Sequence, residues 1–143
     1  MNYRHTQIGT LTIVAAVLIL VFAAAMLSGS DVTRSQVHVV LIVMLLVLVL
    51  FYSLTVEIRD GRVHVWFGPG LIRRSISLDE IAAVRAVRNP WYAGWGIRWM
   101  PGSYWLWNVS GFDAVELEFK NGKRFRIGTD EPDVLVQAIQ NGK

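Results

Sequence analysis

The chain of 143 residues lacks cysteine altogether and has only three histidines, His5, His38 and His64. Without cysteine there is no disulfide bond, no thiolate metal site, no cysteine nucleophile and no cysteine for attachment of an N-terminal lipid. The three histidines are spread along the chain without the spacing of metal ligands. We therefore predict a protein that binds neither a metal nor a cofactor.

Enzymatic motifs are also missing. No G-x-S-x-G pattern occurs, and no serine has an obvious histidine and acid partner. Gly94-Trp95-Gly96 lacks the third glycine and the strand-to-helix setting of a nucleotide-binding loop. Asp79 and Glu80 are neighbours at a predicted bend, which favours solvated carboxylates over an acid–base pair. We predict no catalytic residue and no enzymatic activity.

Two long runs lack Asp, Glu, Lys and Arg: residues 8–28, IGTLTIVAAVLILVFAAAMLS, and residues 37–56, VHVVLIVMLLVLVLFYSLTV. Each has about 20 residues, enough to cross ~30 Å of hydrocarbon as a helix. We predict a hairpin of two transmembrane helices, at about 8–28 and 37–53. A cleaved signal peptide is the alternative for the first run, but its apolar stretch exceeds the usual ~7–15 residues.

Basic residues flank the two runs on one side, whereas Asp31 and Arg34 cancel in the loop between them. The flanking residues are Arg4, Arg59, Arg62, Arg73 and Arg74. Lys and Arg favour the cytoplasmic side, so we predict a multi-pass protein with both termini cytoplasmic. The formal net charge of +3 suits a surface near anionic lipid, but it is too small to indicate nucleic acid as a partner.

Small residues gather near the end of the first run, at Ala23, Ala24, Ala25, Ser28 and Gly29, while the second run is mostly Val and Leu. Bulky side chains of one helix opposite small residues of the other predict close helix packing. The equally open alternative is that these residues only make the helices apolar and form no specific contact. The hairpin also offers a surface for a membrane-protein partner or for self-association. No ionisable residue within the runs provides a proton relay or an ion site.

Two β-hairpins are predicted in the polar remainder. In LTVEIRDGRVHVWF, a two-residue Asp60-Gly61 turn places the apolar residues of both strands on one face. In DAVELEFKNGKRFRIGT, a three-residue loop at 120–122 pairs Leu117 with Phe125 and Glu116 with Arg126. We predict that this ion pair is exposed and contributes at most ~1 kcal/mol.

Further strands are predicted at 71–78 and 81–88, and the sequence TDEPDVLVQAIQNGK predicts a final amphipathic helix capped by Thr129 or Asp130. The expected fold is therefore α+β: a transmembrane hairpin followed by a sandwich or barrel of about seven antiparallel strands and a C-terminal helix. Residues 1–56 form the N-terminal tail and hairpin, and residues 54–143 form a cytoplasmic domain.

The segments ISLDEI, GWGIR, NVSG and AVELEFKNGKRFRIGTDEP resemble those of bacterial pleckstrin-homology-like domains. The similarity covers about residues 54–141 for the fold, and the layout of the whole chain resembles a family of small two-span bacterial membrane proteins. This resemblance implies location in the bacterial cytoplasmic membrane, and it implies no particular ligand. Eukaryotic relatives often bind phosphoinositides through a basic loop that is reduced here to the 59–62 turn, so we do not carry that function over.

Four of the six tryptophans lie in GWGIRWMPGSYWLW, residues 94–107. Because Trp and Tyr favour the headgroup layer and Arg reaches lipid phosphates, this region predicts an interface with the bilayer or with a partner. The candidate residues are Arg88, Trp91, Tyr92, Trp95, Arg98, Trp99, Trp105 and Trp107. Two other interpretations stay open: Trp99, Trp105 and Trp107 are core or sheet-face residues, or the segment is an aromatic groove for a peptide or small ligand.

These features predict a non-enzymatic membrane protein that presents an interaction module for a protein or a lipid headgroup at the inner membrane surface. The alternative is a structural or regulatory subunit of a larger membrane complex.

Overall fold

A computed structural model describes residues 2–27 and 30–143, without the side chains of Leu11, Val32 and Thr33. It confirms an α+β architecture with two N-terminal helices and a C-terminal helix: α1 (Thr10–Met26), α2 (Asp31–Phe51) and α3 (Pro132–Gly142). The strands are β1 (Tyr3–Ile8), β2 (Ser53–Arg59), β3 (Arg62–Phe67), β4 (Ile72–Ser77), β5 (Ile81–Arg88), β6 (Gly96–Met100), β7 (Tyr104–Asn108), β8 (Asp113–Phe119) and β9 (Arg124–Gly128).

The nine strands form two sheets, with orders β1-β2-β3-β4 and β5-β8-β9-β7-β6. The prediction of about seven antiparallel strands was wrong in three respects. β1 is an additional strand within the predicted N-terminal tail. The tryptophan-rich segment makes two strands, because the chain reverses at Gly102 and Ser103, which both have positive φ. In addition, β7 pairs with β9 in parallel, since β8 and β9 form a hairpin that inserts beside β5 and leaves β7 next to β9.

The predicted N-terminal tail is a strand. β1 pairs antiparallel with β2, from Tyr3 opposite Ile58 to Ile8 opposite Ser53. The side chain of Tyr3 donates a hydrogen bond to Glu131 at 2.6 Å, and His5 lies 2.6 Å from Asp130, so both tie β1 to the segment before α3. The helical hairpin is therefore inserted between two neighbouring strands of one sheet, and residues 3–8 belong to the domain that follows it.

Both predicted hairpin registers are confirmed. Ile58 lies opposite Val63, with positive φ at Asp60 and Gly61, and Leu117 lies opposite Phe125. The apolar faces of the two hairpins meet in one core, where the Trp107 ring lies 5.1 Å from Phe67 and 5.6 Å from Phe125 between centroids.

Helix α3 covers the core with Leu135 and Ile139, both fully buried, as its amphipathic pattern predicts. The predicted cap was wrong. Glu131 occupies the N-cap position and Pro132 begins the helix, which suits proline because its missing N–H is not needed there. Thr129 instead accepts a hydrogen bond from the backbone N–H of Glu131, at 3.2 Å.

Helices α1 and α2 have 17 and 21 residues and expose large apolar side chains along most of their length. In the described ranges, one helix is long and apolar enough to cross a bilayer, over Arg34–Phe51, and Thr12–Met26 is a shorter apolar helix. Among the described side chains of α1, Ala16 and Ala23 are buried, seven residues apart, and the helix packs along α2. Ser28 and Gly29, part of the predicted small-residue cluster, lie outside the described residues.

Candidate functional site

The helical hairpin meets the sheets without a linker. The N–H of Gly9, between β1 and α1, donates to the carbonyl of Tyr52, between α2 and β2, at 2.7 Å. The turn after β3 packs against the end of α2, because a Cβ on Gly68 would lie 2.6 Å from the Val49 carbonyl oxygen. The orientation of the hairpin relative to the sheets is therefore fixed by backbone contacts.

These contacts define two ends of the sandwich. The helix-proximal end holds the junction at Gly9 and the loop after β7, where the Gln7 side chain donates to the carbonyl of Ser110 at 3.1 Å. The far end holds the β6–β7 and β8–β9 turns, joined by a hydrogen bond from Arg124 to the carbonyl of Gly102. Most of the candidate residues lie towards one of these two ends.

Trp91, Tyr92 and Trp95 belong to the helix-proximal end. Trp95 lines a cavity of about 230 Å³ together with residues of both helices, among them Ala16 and Met44. Met44 lies seven residues before the end of α2, about 10 Å along its axis. Trp91 is 83% exposed, and Tyr92, also exposed, packs edge-on against it at 5.8 Å between centroids. We call these three residues the aromatic collar, since Trp95 lines a cavity against both helices and Trp91 and Tyr92 lie in the short turn just before it.

The two candidate arginines support this segment from the protein side. The Arg98 guanidinium donates to the carbonyl of Ala93 at 3.1 Å, which ties the short 91–93 turn to β6. Arg88 lies 3.8 Å from Asp113 and above the ring of Phe112, at 5.7 Å from its centroid. Both side chains have protein partners, so they hold the loop that carries the aromatic collar.

The other three candidate tryptophans lie elsewhere. Trp107 is 8% exposed and belongs to the core, as the core interpretation expects. Trp99 and Trp105 face the same side of their sheet, with ring centroids 5.2 Å apart, but both are exposed. They lie closer to the far end, where Trp99 is one residue from the β6–β7 turn. The eight candidate residues therefore form three groups and not one surface.

Sequence reasoning missed a buried charge cluster on the outer face of the second sheet. The ion pair of Glu116 and Arg126 was predicted to be exposed, but Glu116 is buried and only 1% exposed. Arg126 donates to Glu116 at 2.7 Å, Arg85 forms a second hydrogen-bonded ion pair with it, and Arg124 lies 4.0 Å away. The sequence signal for an ion pair was the placement of Glu opposite Arg across β8 and β9. That signal does not show that neighbouring side chains bury the carboxylate of Glu116.

The pKa of Glu116 is lowered in this cluster. Burial alone raises the pKa of the carboxyl, but the hydrogen bonds and charges of Arg85 and Arg126 outweigh burial. Glu116 is therefore ionised and fully paired at neutral pH, which is the arrangement of a structural ion cluster and not of a general acid.

Within residues 2–27 and 30–143, no group of three or more His, Asp or Glu side chains is arranged to hold a metal ion. No protein-family model and no curated protein matches the chain. The hairpin, the aromatic collar and the exposed sheet face are therefore the features that bear on function.

Proposed function

We propose that the chain is a non-enzymatic integral membrane protein, in which α1 and α2 anchor a pleckstrin-homology-like interaction module at the inner surface of the bacterial cytoplasmic membrane. The observation that carries this proposal is the junction at Gly9 and Gly68, where an outwardly apolar helical hairpin leaves the sheet without a linker. Apolar side chains exposed on nearly all sides suit lipid as the solvent of a helix pair.

The insertion of the hairpin between β1 and β2 supports entry of both helices into the bilayer. α1 and α2 start from one base and run side by side, so a bilayer that surrounds α2 also surrounds α1. Their lengths are about 26 and 32 Å at 1.5 Å per residue, which matches a hydrocarbon core of ~30 Å. Because β1 pairs with β2, the N-terminal residues and the domain occupy the same side, and the basic flanks favour the cytoplasmic side.

The aromatic collar supports a fixed depth of the domain. Trp95 lines its cavity with α2 residues up to about 10 Å from the end of that helix, which places the ring at the membrane-facing side of the domain when the helices span. Trp91 and Tyr92 beside it expose apolar rings that carry one polar atom each, the chemistry that this layer favours. The collar therefore anchors the module against the inner leaflet.

Tryptophan quenching tests the collar. The full-length protein is placed in nanodiscs whose lipids carry brominated acyl chains. Trp91→Phe removes a strongly quenched part of the emission, whereas the matched control Trp99→Phe removes an unquenched part. The collar is rejected when the two variants change the quenched fraction equally.

Purification in a mild detergent addresses the interaction module. Recovery of the protein without a partner, together with membrane attachment that needs only lipid, supports the role as an interaction module. A stoichiometric integral-membrane partner that survives purification would support the alternative role as a subunit.

A further inference from the structure

The sandwich is open on one side at its far end. The first sheet ends at β4 and the second sheet ends at β6, and α3 covers a different side through its contacts with β5, β8 and β2. A groove of about 550 Å³ lies between the two sheet ends. We call it the Trp99 groove. Its volume is within the ~300–1,000 Å³ of ligand-binding clefts.

The floor of the Trp99 groove is aromatic. Trp99 and Trp105 belong to the core-facing side of their sheet, but the narrower opposite sheet leaves them uncovered. Their rings meet edge to face at 5.2 Å, which provides a firm apolar shelf. Exposed tryptophans of this kind are the residues that contribute most to binding in protein interfaces.

The rim of the Trp99 groove is positively charged. Its charged lining residues are Arg74, Lys123 and Arg124, and none of its lining residues is acidic. Arg74 lies over the ring of Phe125, 4.6 Å from its centroid, and Glu80 in the adjoining groove is its electrostatic partner. Within residues 2–27 and 30–143, neither Arg74 nor Lys123 forms a direct ion pair. Two cations without a direct ion pair beside an apolar shelf match an occupant that carries carboxylates next to apolar side chains.

We propose that the Trp99 groove binds an extended, acidic peptide segment of a partner protein, with an apolar side chain on Trp99 and Trp105 and a carboxylate at Arg74 and Lys123. Both flanking strands, β4 and β6, are end strands of their sheets, so each has a free backbone edge along which an extended segment can pair. The groove faces away from the helices, so its occupant is a soluble segment and not a lipid headgroup. This inference goes beyond the membrane anchor and is tested separately from it.

Peptide selection on the full-length protein in zwitterionic nanodiscs tests the proposal. Phage-displayed random heptapeptides are selected, and we expect enriched sequences that combine Asp or Glu with aromatic or large aliphatic residues. A selected peptide is then synthesised with a fluorescein label, and its affinity is measured by fluorescence polarisation. Enrichment without acidic residues, or no enrichment over empty nanodiscs, overturns the proposal.

Variants locate the bound peptide. Arg74→Glu and Trp99→Ala are each expected to weaken binding by about tenfold or more, and Lys123→Glu in the exposed turn provides a second charge reversal should Arg74→Glu fail to fold. The matched control is Arg59→Glu, which reverses an exposed arginine outside the groove and leaves affinity within about twofold. Unchanged affinity in Lys123→Glu and Trp99→Ala, or loss of binding when anionic lipid is added to the nanodiscs, contradicts the proposal.

Discussion

At the scale of single residues, the buried carboxylate of Glu116 is the least expected feature. Three arginines surround one acid that is almost completely covered, and the arginines keep its pKa below the ordinary value of ~4.3 despite burial. We expect Glu116→Gln to lower the free energy of unfolding by about 1–3 kcal/mol, because it leaves the largely buried guanidinium group of Arg126 without a counter-charge, whereas the exposed Arg85 stays solvated. Urea unfolding of the full chain in detergent, followed by circular dichroism, measures this change.

The lowered pKa of Glu116 determines in which direction the free energy of unfolding changes with pH. Since the folded-state pKa of Glu116 is lowered, its contribution is present above the unfolded value of about 4.3 and is lost as the pH falls towards the folded value. Wild type should therefore lose this stability below about pH 4.3, while Glu116→Gln lacks that part of the acid dependence. Glu118→Gln on the same strand is the control. Equal stability losses in the two variants would contradict a particular stabilising role of the Glu116 cluster.

At the scale of elements, the junction between the turn after β3 and α2 fixes the hairpin. Gly68 has φ of +45°, and a Cβ there would lie 2.6 and 2.8 Å from the carbonyl oxygens of Val49 and Leu50. Gly122 also has positive φ, +82°, but no atom lies within 4 Å of its Cβ position. Alanine at either site incurs a backbone cost of about 1–2 kcal/mol, and only at Gly68 does it also displace α2.

We therefore expect Gly68→Ala to lower the melting temperature clearly more than Gly122→Ala. The measurement is thermal unfolding of both variants in the same detergent. The excess loss in Gly68→Ala reports the close approach of the helix end, since the matched variant removes the contribution of backbone strain. Equal losses would mean that the turn and the helix do not constrain each other.

The elements differ in how well the sequence predicts them. Both hairpin registers follow from local signals, because Asp60-Gly61 and the 120–122 loop set a turn type that agrees with strict alternation of apolar residues. β1 has no such signal: YRHTQI lacks apolar alternation, and its partner β2 is separated from it by the whole helical hairpin. The parallel pairing of β7 with β9 is likewise decided by the packing of distant strands, which short-range patterns do not contain.

The candidate site divides in the same way. Aromatic composition predicted that the tryptophan-rich segment carries surface features, and Trp91 is exposed while Trp95 lines a cavity with both helices. Composition does not tell a core tryptophan from an exposed one. Trp105 and Trp107 occupy the same face of β7, yet Trp107 is covered by Phe67 while Trp105 lies beyond the width of the opposite sheet.

At the scale of the whole molecule, the pairing of β1 with β2 links topology to fold. The N-terminal residues and the C-terminal domain must lie on one side of any membrane that the hairpin enters, because the two strands share one sheet. Asn2 precedes β1, Asn121 lies in the far turn, and Asp31 begins α2 at the tip of the hairpin. The absence of cysteine from the natural sequence makes each position available for a single, specific thiol label.

We expect Asp31→Cys to react with a membrane-impermeant maleimide on intact spheroplasts, and Asn2→Cys and Asn121→Cys to react only after lysis or in inverted vesicles. Labelling of Asn121→Cys on intact spheroplasts would place the domain outside and reject the cytoplasmic location. Different labelling of Asn2→Cys and Asn121→Cys would be more serious, because it would separate β1 from β2 across the bilayer. The paired result therefore tests the fold, and the order of accessibility tests the orientation that the basic flanks predict.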